Sequence, residues 1–194
     1  MNLRFQPESF AMSIRQASYD DAKREYLVEH DLPVYNLDDI KEYVCRNLRD
    51  NSFTKSVDAY YVREDGREYL IEFKNQNPED VPRRAIKEKA YDSLYLLLLT
   101  FDQRKSLEET AKNVSLVVVY NEKASGIYQA THYNKSSSFD KMVQKFGQLA
   151  KAGNSRPIRF GISYLKGRLY REIYTVDVED FLENFVKQGF AGID

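Results

Sequence analysis

The stretch from residue 56 to residue 76 constrains the fold more than any other part of this chain. Its sequence, SVDAYYVREDGREYLIEFKNQ, is dense in β-branched and aromatic residues and is interrupted once, at Glu64–Gly66. Glycine after an acidic residue is typical of the tight turn of a hairpin. The pattern therefore predicts two antiparallel strands, near residues 56 to 63 and 67 to 75.

The length of this turn decides which side chains face each other. A two-residue turn, Asp65–Gly66, would place Asp58 opposite Phe73. A three-residue loop, Glu64–Gly66, with the glycine in the left-handed conformation, would place Asp58 opposite Glu72. We favour the three-residue loop, which puts two carboxylates side by side on one face of the sheet.

The rest of the chain indicates further helices and strands. The run NVSLVVVY, at residues 113–120, is continuously apolar, as in a central strand that is covered on both faces. Residues 82–100 begin polar and end in the apolar run LYLLLL, which predicts a helix with a buried carboxyl end. The other predicted elements are helices over 8–30, 37–49, 137–150 and 178–188, and strands over 157–165 and 169–176.

These elements predict an α/β protein with a mixed central β-sheet flanked by helices. A chain of 194 residues is long enough for one domain with a hydrophobic core and short for two. We expect a single compact domain over residues 36–194, preceded by an N-terminal helical extension over residues 1–35. The hydrophobic fraction of 42% fits a packed protein rather than a disordered one.

Two features predict a cytoplasmic protein without a membrane anchor. The first residues, Met1–Arg4, lack the apolar run of a signal peptide, and the apolar stretch Leu94–Leu99 is far shorter than a bilayer crossing. The chain has a single cysteine, Cys45, so it forms no internal disulfide. His30 and His132 have no partner at the spacing of a zinc site.

The chemistry of the chain is concentrated on the second strand of the hairpin. Glu72 and Lys74 are two residues apart, so both point to the same face of the sheet. Two carboxylates facing each other repel unless a cation lies between them, and Mg²⁺ accepts one or two carboxylates and leaves its other positions to water and phosphate. Lys74 beside such a cation can orient or deprotonate an attacking water. Asp58, Glu72 and Lys74 are thus predicted to form a site for phosphodiester hydrolysis.

This arrangement resembles the PD-(D/E)XK nuclease superfamily, with Asp58 in SVD and Glu72, Phe73 and Lys74 in IEFK. The resemblance covers about residues 36 to 120 and implies a restriction-endonuclease-like core. It also implies a Mg²⁺- or Mn²⁺-dependent DNA endonuclease with metal ligands at Asp58, Glu72 and the Phe73 carbonyl, and a homodimer. Val57 stands where the name of the motif has proline.

Several flanking residues are weaker candidates. Gln76 continues the face of Glu72, Lys87 and Tyr91 lie one helical turn apart on the following helix, and Glu42 matches the place of an additional acidic ligand in some members of the superfamily. The alternative for each is an ordinary surface or half-buried position. The possible accessory residues are therefore Glu42, Gln76, Lys87 and Tyr91.

The net charge of −1 argues against a chain that coats nucleic acid by bulk electrostatics. Residues 141–171 nevertheless contain no aspartate or glutamate, so this segment is predicted to face phosphates; the alternative is that its charges are spread over a solvated surface. The predicted nucleic-acid-binding residues are Arg83, Arg84, Lys141, Lys145, Arg156, Arg159, Lys166 and Arg168.

A second hypothesis belongs to a different class of protein. A nuclease-like fold without activity, serving as an immunity, regulatory or assembly module, fits the near-neutral charge and the 15 tyrosines equally well. The sequence also leaves open whether the substrate is DNA or RNA, because both are cleaved by the same chemistry.

Overall fold

A computed structural model describes residues 6–48, 55–100, 106–124 and 157–191 of the chain. Within these residues, six strands form one mixed sheet, and two short strands form a separate hairpin. The strands are β1 (Ala11–Ser13), β2 (Tyr19–Asp20), β3 (Glu25–Tyr26), β4 (Pro33–Asn36), β5 (Ala59–Val62), β6 (Glu68–Lys74), β7 (Val114–Tyr120) and β8 (Ile173–Asp177). The helices are α1 (Ile14–Ala17), α2 (Leu37–Leu48), α3 (Arg83–Thr100), α4 (Leu107–Asn113) and α5 (Val178–Phe181), which continues as a π-helical turn over Leu182–Val186.

The sheet has the order β1-β4-β5-β6-β7-β8. The pairs from β1 to β6 are antiparallel, whereas β7 lies parallel to β6 and β8 parallel to β7. Antiparallel neighbours need only a tight turn, as between β5 and β6, but a parallel neighbour needs a crossover, which α3 and α4 supply between β6 and β7. The predicted α/β class, with a mixed sheet flanked by helices, is confirmed.

The centre of the sheet is buried on both faces, as expected for parallel strands. All seven residues of β7 are buried. Leu70 and Leu116 pack with α2 and α3 on one face, and Ile71 and Val117 pack with α5 on the other. Because side chains alternate along a strand, Glu72 lies on the same face as Leu70, towards α3.

The hairpin has the three-residue loop. The Arg63 N–H donates to the Arg67 carbonyl at 2.8 Å, and Gly66 has a φ of +83°, in the left-handed region. Ala59 faces Ile71, which is the register that the three-residue loop requires. The choice between the two turns, which the sequence left open, is thereby decided in favour of the longer loop.

The predicted N-terminal helix over residues 8–30 is wrong. Apart from the 3₁₀ turn Pro7–Phe10, the helical part of this segment is α1, four residues long, while β1 and β4 join the main sheet and β2 and β3 form their own hairpin. The thin apolar stripe of the segment supports a helix only weakly. Pairing with a neighbouring strand satisfies the same backbone groups, and Ile14 and Val28, which lie outside the strands, are buried in this arrangement.

The helices and strands after residue 100 agree with the prediction in part. The predicted strand over 157–165 is absent: Ser163–Leu165 is a 3₁₀ turn, and Phe160 and Gly161 have φ values of 61° and 63°, which an extended strand does not allow. Residues 169–176 contain the first part of β8, and 178–188 contain the predicted final helix. Helix α4 was not predicted, although Ser106 and Glu109 form a capping box at its start. The predicted helix over 137–150 lies outside the described residues.

None of the helices in the described ranges is both long enough and apolar enough to cross a membrane.

Candidate functional site

Asp58, Glu72 and Lys74 come together at the end of the β5–β6 hairpin that is remote from its loop. Glu72 and Lys74 lie on β6, and Asp58 immediately precedes β5. Only 1% of the Glu72 side chain is exposed, compared with 22% for Asp58 and 23% for Lys74. The deepest group of the site is therefore a carboxylate, and the other two charged groups lie between it and solvent.

Asp58 does not continue the ladder to Glu72 in the manner of a regular strand. Its N–H donates to the carbonyl of Ile71 at 3.1 Å, although Ile71 already faces Ala59. The next contact with β6 is made by the side chain of Asp58 rather than by its backbone: Oδ2 accepts the N–H of Phe73 at 2.6 Å. This contact fixes the carboxylate beside Glu72 and leaves Oδ1 for another partner.

That partner is Lys89, a residue that the sequence did not single out. From α3 its Nζ lies 2.8 Å from Oε2 of Glu72 and 3.2 Å from Oδ1 of Asp58. On the other side of Glu72, the Nζ of Lys74 lies 2.6 Å from Oε1, as an ion pair rather than an aligned hydrogen bond. The site is consequently a quartet of two carboxylates and two ammonium groups.

The buried residues on α3 show how Lys89 is directed to the site. Ile86 and Ser93 are buried, and they lie three residues before and four residues after Lys89, so all three share one side of the helix. The Ser93 hydroxyl accepts the N–H of Val57 at 2.8 Å, which attaches this side of α3 to the residue before Asp58. A lysine among buried neighbours at helical spacing is a signal for a charged partner across the interface.

Burial and charge shift the protonation of this quartet. Burial and, to a smaller extent, the negative charge of Asp58 raise the pKa of Glu72, Lys89 and Lys74 lower it, and the balance of these effects leaves the pKa at about 7. Burial by itself lowers the pKa of Lys89, but the attraction of Glu72 and Asp58 outweighs it, so that pKa is raised. Lys89 is therefore a fixed positive charge, while Glu72 can exchange a proton near neutral pH.

A cleft of about 510 Å³ opens beside the quartet. Asp58, Phe73, Lys74 and Gln76 line one wall, and the β2–β3 hairpin lines the other. The hairpin is attached to the end of β6 through Asn75, whose Nδ2 donates to Glu25 Oε1 at 2.7 Å and whose carbonyl accepts the ammonium of Lys23. A substrate group in this cleft would lie directly against Asp58 and Lys74.

The structure brings one of the four accessory candidates to the site. Gln76 lines the cleft with an exposed side chain. Lys87 and Tyr91 instead lie with Tyr164, at 5.8 Å from the Lys87 Nζ to the ring centroid and 3.2 Å between the two tyrosine hydroxyls. Glu42 is exposed and pairs with Arg46 within α2. These three side chains contact neighbours outside the quartet.

The described part of the predicted basic surface is largely compensated by carboxylates. Arg84 pairs with Glu88 at 2.6 Å and Lys166 with Glu172 at 2.5 Å, while Arg168 is exposed. Lys141, Lys145 and Arg156 lie outside the described residues.

A second cavity, of about 240 Å³, lies against the loop that follows β6. Arg83 and Arg159 line it together with Glu79. The guanidinium of Arg159 lies 3.6 Å from Glu79 and 3.7 Å from Glu122, and 5.3 Å from the centroid of the Tyr120 ring. This cavity therefore presents two guanidinium groups of which one is already shared by two carboxylates.

The carboxylates fit a divalent cation. One ammonium reaches both Asp58 Oδ1 and Glu72 Oε2, so the two oxygens converge on a single point, and Mg²⁺ takes one or two carboxylates with water in its other positions. Within the described residues, no group of three or more acidic, histidine or cysteine side chains is arranged so that it could hold a metal ion.

A scan of protein-family models, a search of curated proteins and a search of solved structures each found no match to this chain.

Proposed function

We propose that this protein hydrolyses phosphodiester bonds of nucleic acid in a reaction that requires Mg²⁺ or Mn²⁺. The observation that carries the proposal is the convergence of Asp58 Oδ1 and Glu72 Oε2 on one point beside Lys74, at the edge of an open cleft. Two carboxylates and a lysine in this order supply a cation site, a polar group for water and access for a substrate.

Each residue has a distinct role in this proposal. Asp58 and Glu72 hold the cation, with the Phe73 carbonyl as a further ligand on the same strand. When bound, the cation polarises a phosphate oxygen and favours ionisation of a water. Lys74 holds that water by its ammonium group and neutralises the charge that develops on the phosphate. The Phe73 N–H, by fixing Asp58 Oδ2, keeps the other carboxylate oxygen turned towards the cation.

Local contacts, rather than a broad basic surface, are proposed to hold the nucleic acid. Arg83 and Arg159 lie at the loop that leads away from Gln76, and Gln76 lines the catalytic cleft. In the described part of the chain several cations are paired with carboxylates, so these ranges offer few phosphate contacts. From these ranges, the affinity for nucleic acid is expected to fall with salt by only a small power, because each released counterion corresponds to one phosphate contact. DNA is the substrate we propose first.

The internal neutrality of the quartet favours a second candidate function. Asp58 and Glu72 are balanced by Lys74 and Lys89 at distances of 2.6 to 3.2 Å, so the site is neutral without a metal. A protein-binding module that has lost cleavage can keep such a quartet as a structural ion-pair network. In that case the charged residues stabilise the hairpin against α3 and take no part in chemistry.

The deciding experiment measures cleavage of plasmid, linear duplex, single-stranded and branched DNA and of RNA, with Mg²⁺, with Mn²⁺ and with chelator. The variants are Lys74→Ala and Glu72→Gln, and the control is Lys112→Ala, which removes an exposed lysine that pairs with Glu108 along α4. Metal-dependent cleavage that the first two variants lose and the control keeps supports the nuclease.

No cleavage of any substrate by the wild type, together with no calorimetric signal for Mn²⁺, would favour the protein-binding module instead. Circular dichroism of each variant ensures that lost cleavage is not lost folding. Cleavage that survives in Glu72→Gln would place the reaction at another site of the chain and overturn the assignment.

A further inference from the structure

The ammonium of Lys89 lies where a cation between the two carboxylates is required. It contacts one oxygen of Asp58 and one of Glu72, at 3.2 and 2.8 Å, whereas Lys74 contacts the other oxygen of Glu72. The two oxygens that converge on Lys89 are the same two that a divalent cation would use. The positions of the ammonium and of the metal therefore coincide.

Two cations cannot occupy this position together. Glu72 is almost fully buried, and an ionised carboxylate in that environment requires a counterion at close range. Lys89 satisfies this requirement when no metal is bound. A divalent cation a few ångströms from an ammonium is strongly repelled, because little water separates charges at this depth. Binding of the metal and the observed position of Lys89 are thus mutually exclusive.

The partial exposure of Lys89 and the small residue one helical turn before it favour a movement of its side chain towards the cleft. Its side chain is 18% exposed, so the ammonium is not sealed in the core. Ala85, one helical turn earlier on α3, and Pro82 both line the cleft beside the quartet. A small residue at position 85 leaves room for a long lysine side chain to swing towards the cleft, where the ammonium regains water and faces any bound phosphate.

We propose that Lys89 is an internal counterion that competes with the divalent metal for Asp58 and Glu72. This inference rests on the proposed function, since it concerns the same metal site. Lys89 stabilises the metal-free protein and weakens its affinity for metal, and it leaves its position between the carboxylates when the metal enters. The site is then stable without a metal. It binds a metal only where the metal interacts with the two carboxylates more strongly than the ammonium of Lys89 does.

The experiment compares wild type, Lys89→Met and the control Lys112→Met. Methionine replaces the aliphatic stem of lysine with one of similar length and removes the ammonium group, and Lys112 is an exposed lysine of an i,i+4 pair on α4. Mn²⁺ affinity is measured by calorimetry, and thermal unfolding is followed with chelator and with Mn²⁺. Lys89→Met is expected to bind Mn²⁺ about tenfold tighter than wild type, the factor that corresponds to roughly 1.4 kcal/mol of relieved competition.

The same variant is expected to unfold at a lower temperature than wild type in chelator and to recover with Mn²⁺, while Lys112→Met shows neither change. Equal or weaker Mn²⁺ affinity in Lys89→Met overturns the proposal. So does an unchanged unfolding temperature in chelator. These readouts do not depend on cleavage, so tight Mn²⁺ binding without nuclease activity would refute the proposed function and leave the role of Lys89 standing.

A double variant covers the case in which Lys89→Met does not fold. Glu72→Gln added to Lys89→Met removes the buried charge that Lys89 balances. Recovery of a folded protein whose unfolding temperature is the same with and without Mn²⁺ supports the counterion role. A double variant as unstable as the single one would show that the instability does not come from the unbalanced charge of Glu72, and would overturn the proposal.

Discussion

Glu72 and Lys89 are 17 positions apart in the chain, and their charged atoms lie 2.8 Å from each other. One residue belongs to β6 and the other to the crossover helix α3, so this contact joins the sheet to the helix at the candidate site. Because Glu72 is almost completely buried, the partner that it finds across this interface helps to set the charge state of its carboxylate.

Replacing Lys74 with alanine is expected to lower the rate of nucleic-acid cleavage on the order of 10²- to 10³-fold, the usual loss when one group that stabilises the transition-state charge is removed. The KM should change little, because Lys74 lies at the reacting end of the cleft rather than along it. Steady-state kinetics on the best substrate of the panel measure both quantities. An increase in KM with an unchanged kcat would assign Lys74 to substrate binding instead.

The stability of the metal-free protein should decrease as the pH rises from about 4.5 to about 7. In the unfolded chain Glu72 ionises near its ordinary pKa of 4.5, whereas in the folded protein its pKa is raised to about 7. The unfolded state therefore binds fewer protons within this interval, which favours unfolding by on the order of 3 kcal/mol once both states are ionised. Urea unfolding in chelator at several pH values measures the effect.

Two variants test the origin of this pH dependence. Glu72→Gln removes the titrating group, so the fall in stability between pH 4.5 and 7 should be smaller than in wild type. Glu108→Gln is the control, because Glu108 is exposed and its hydrogen bond with Lys112 lowers its pKa, which gives a contribution of opposite sign. An identical pH profile for wild type and Glu72→Gln would contradict the assignment.

Ser93→Ala is expected to lower the free energy of unfolding by about 1–3 kcal/mol, since it leaves the buried N–H of Val57 without its acceptor. Val57 precedes Asp58, so Mn²⁺ affinity should also fall. Ser106→Ala, which removes the N-cap of α4, is expected to cost about 1 kcal/mol and to leave the metal site unchanged. Calorimetry measures the Mn²⁺ affinity of each variant. Equal affinities in Ser93→Ala and Ser106→Ala would argue against coupling through Val57.

Gly66→Ala should destabilise the protein by about 1–2 kcal/mol through backbone strain alone. The φ of Gly66 is +83°, and a Cβ at this position would meet no atom within 4 Å, so no steric clash adds to the strain. Asparagine tolerates the left-handed region better than alanine, and Gly66→Asn should therefore cost less. Urea unfolding of both variants checks the order, which equal losses would contradict.

Asn75→Leu should loosen the β2–β3 hairpin at the wall of the cleft, because it removes the contact with Glu25 and leaves the backbone carbonyl that accepts the Lys23 ammonium. The Nδ2 of Asn75 holds Glu25 at 2.7 Å, while its Oδ1 accepts the Nδ2 of Asn121 at 2.8 Å. Hydrogen exchange of the amides in residues 18–27 is expected to become faster in this variant. Asn121→Leu removes the other contact and keeps Glu25 in place, so protection of the hairpin should persist; faster exchange there would point to a general loosening of the loops.

The local parts of the fold were predictable because short stretches of chain determine them. Glycine at position 66 is compatible with the left-handed turn, and the alternation of side chains on β6 places Glu72 and Lys74 together. The apolar run at 114–120 needs burial on both faces and became the centre of the sheet. The N-terminal segment carried a weak periodicity, so partners far away in the chain determined its structure instead.

The sequence by itself determined the hairpin and its alternation, and therefore the placement of Glu72 and Lys74 on one face of the sheet. The register that brings Asp58 beside Glu72 was decided by the three-residue loop of the structure. Only the tertiary structure decided that Lys89 enters between Asp58 and Glu72 and that the β2–β3 hairpin closes one side of the cleft. The physical reason is the distance along the chain over which each interaction acts. Turn geometry and strand periodicity act over a few residues, whereas the rotation of α3 against the sheet and the docking of the hairpin depend on packing and charge pairing between segments tens of residues apart.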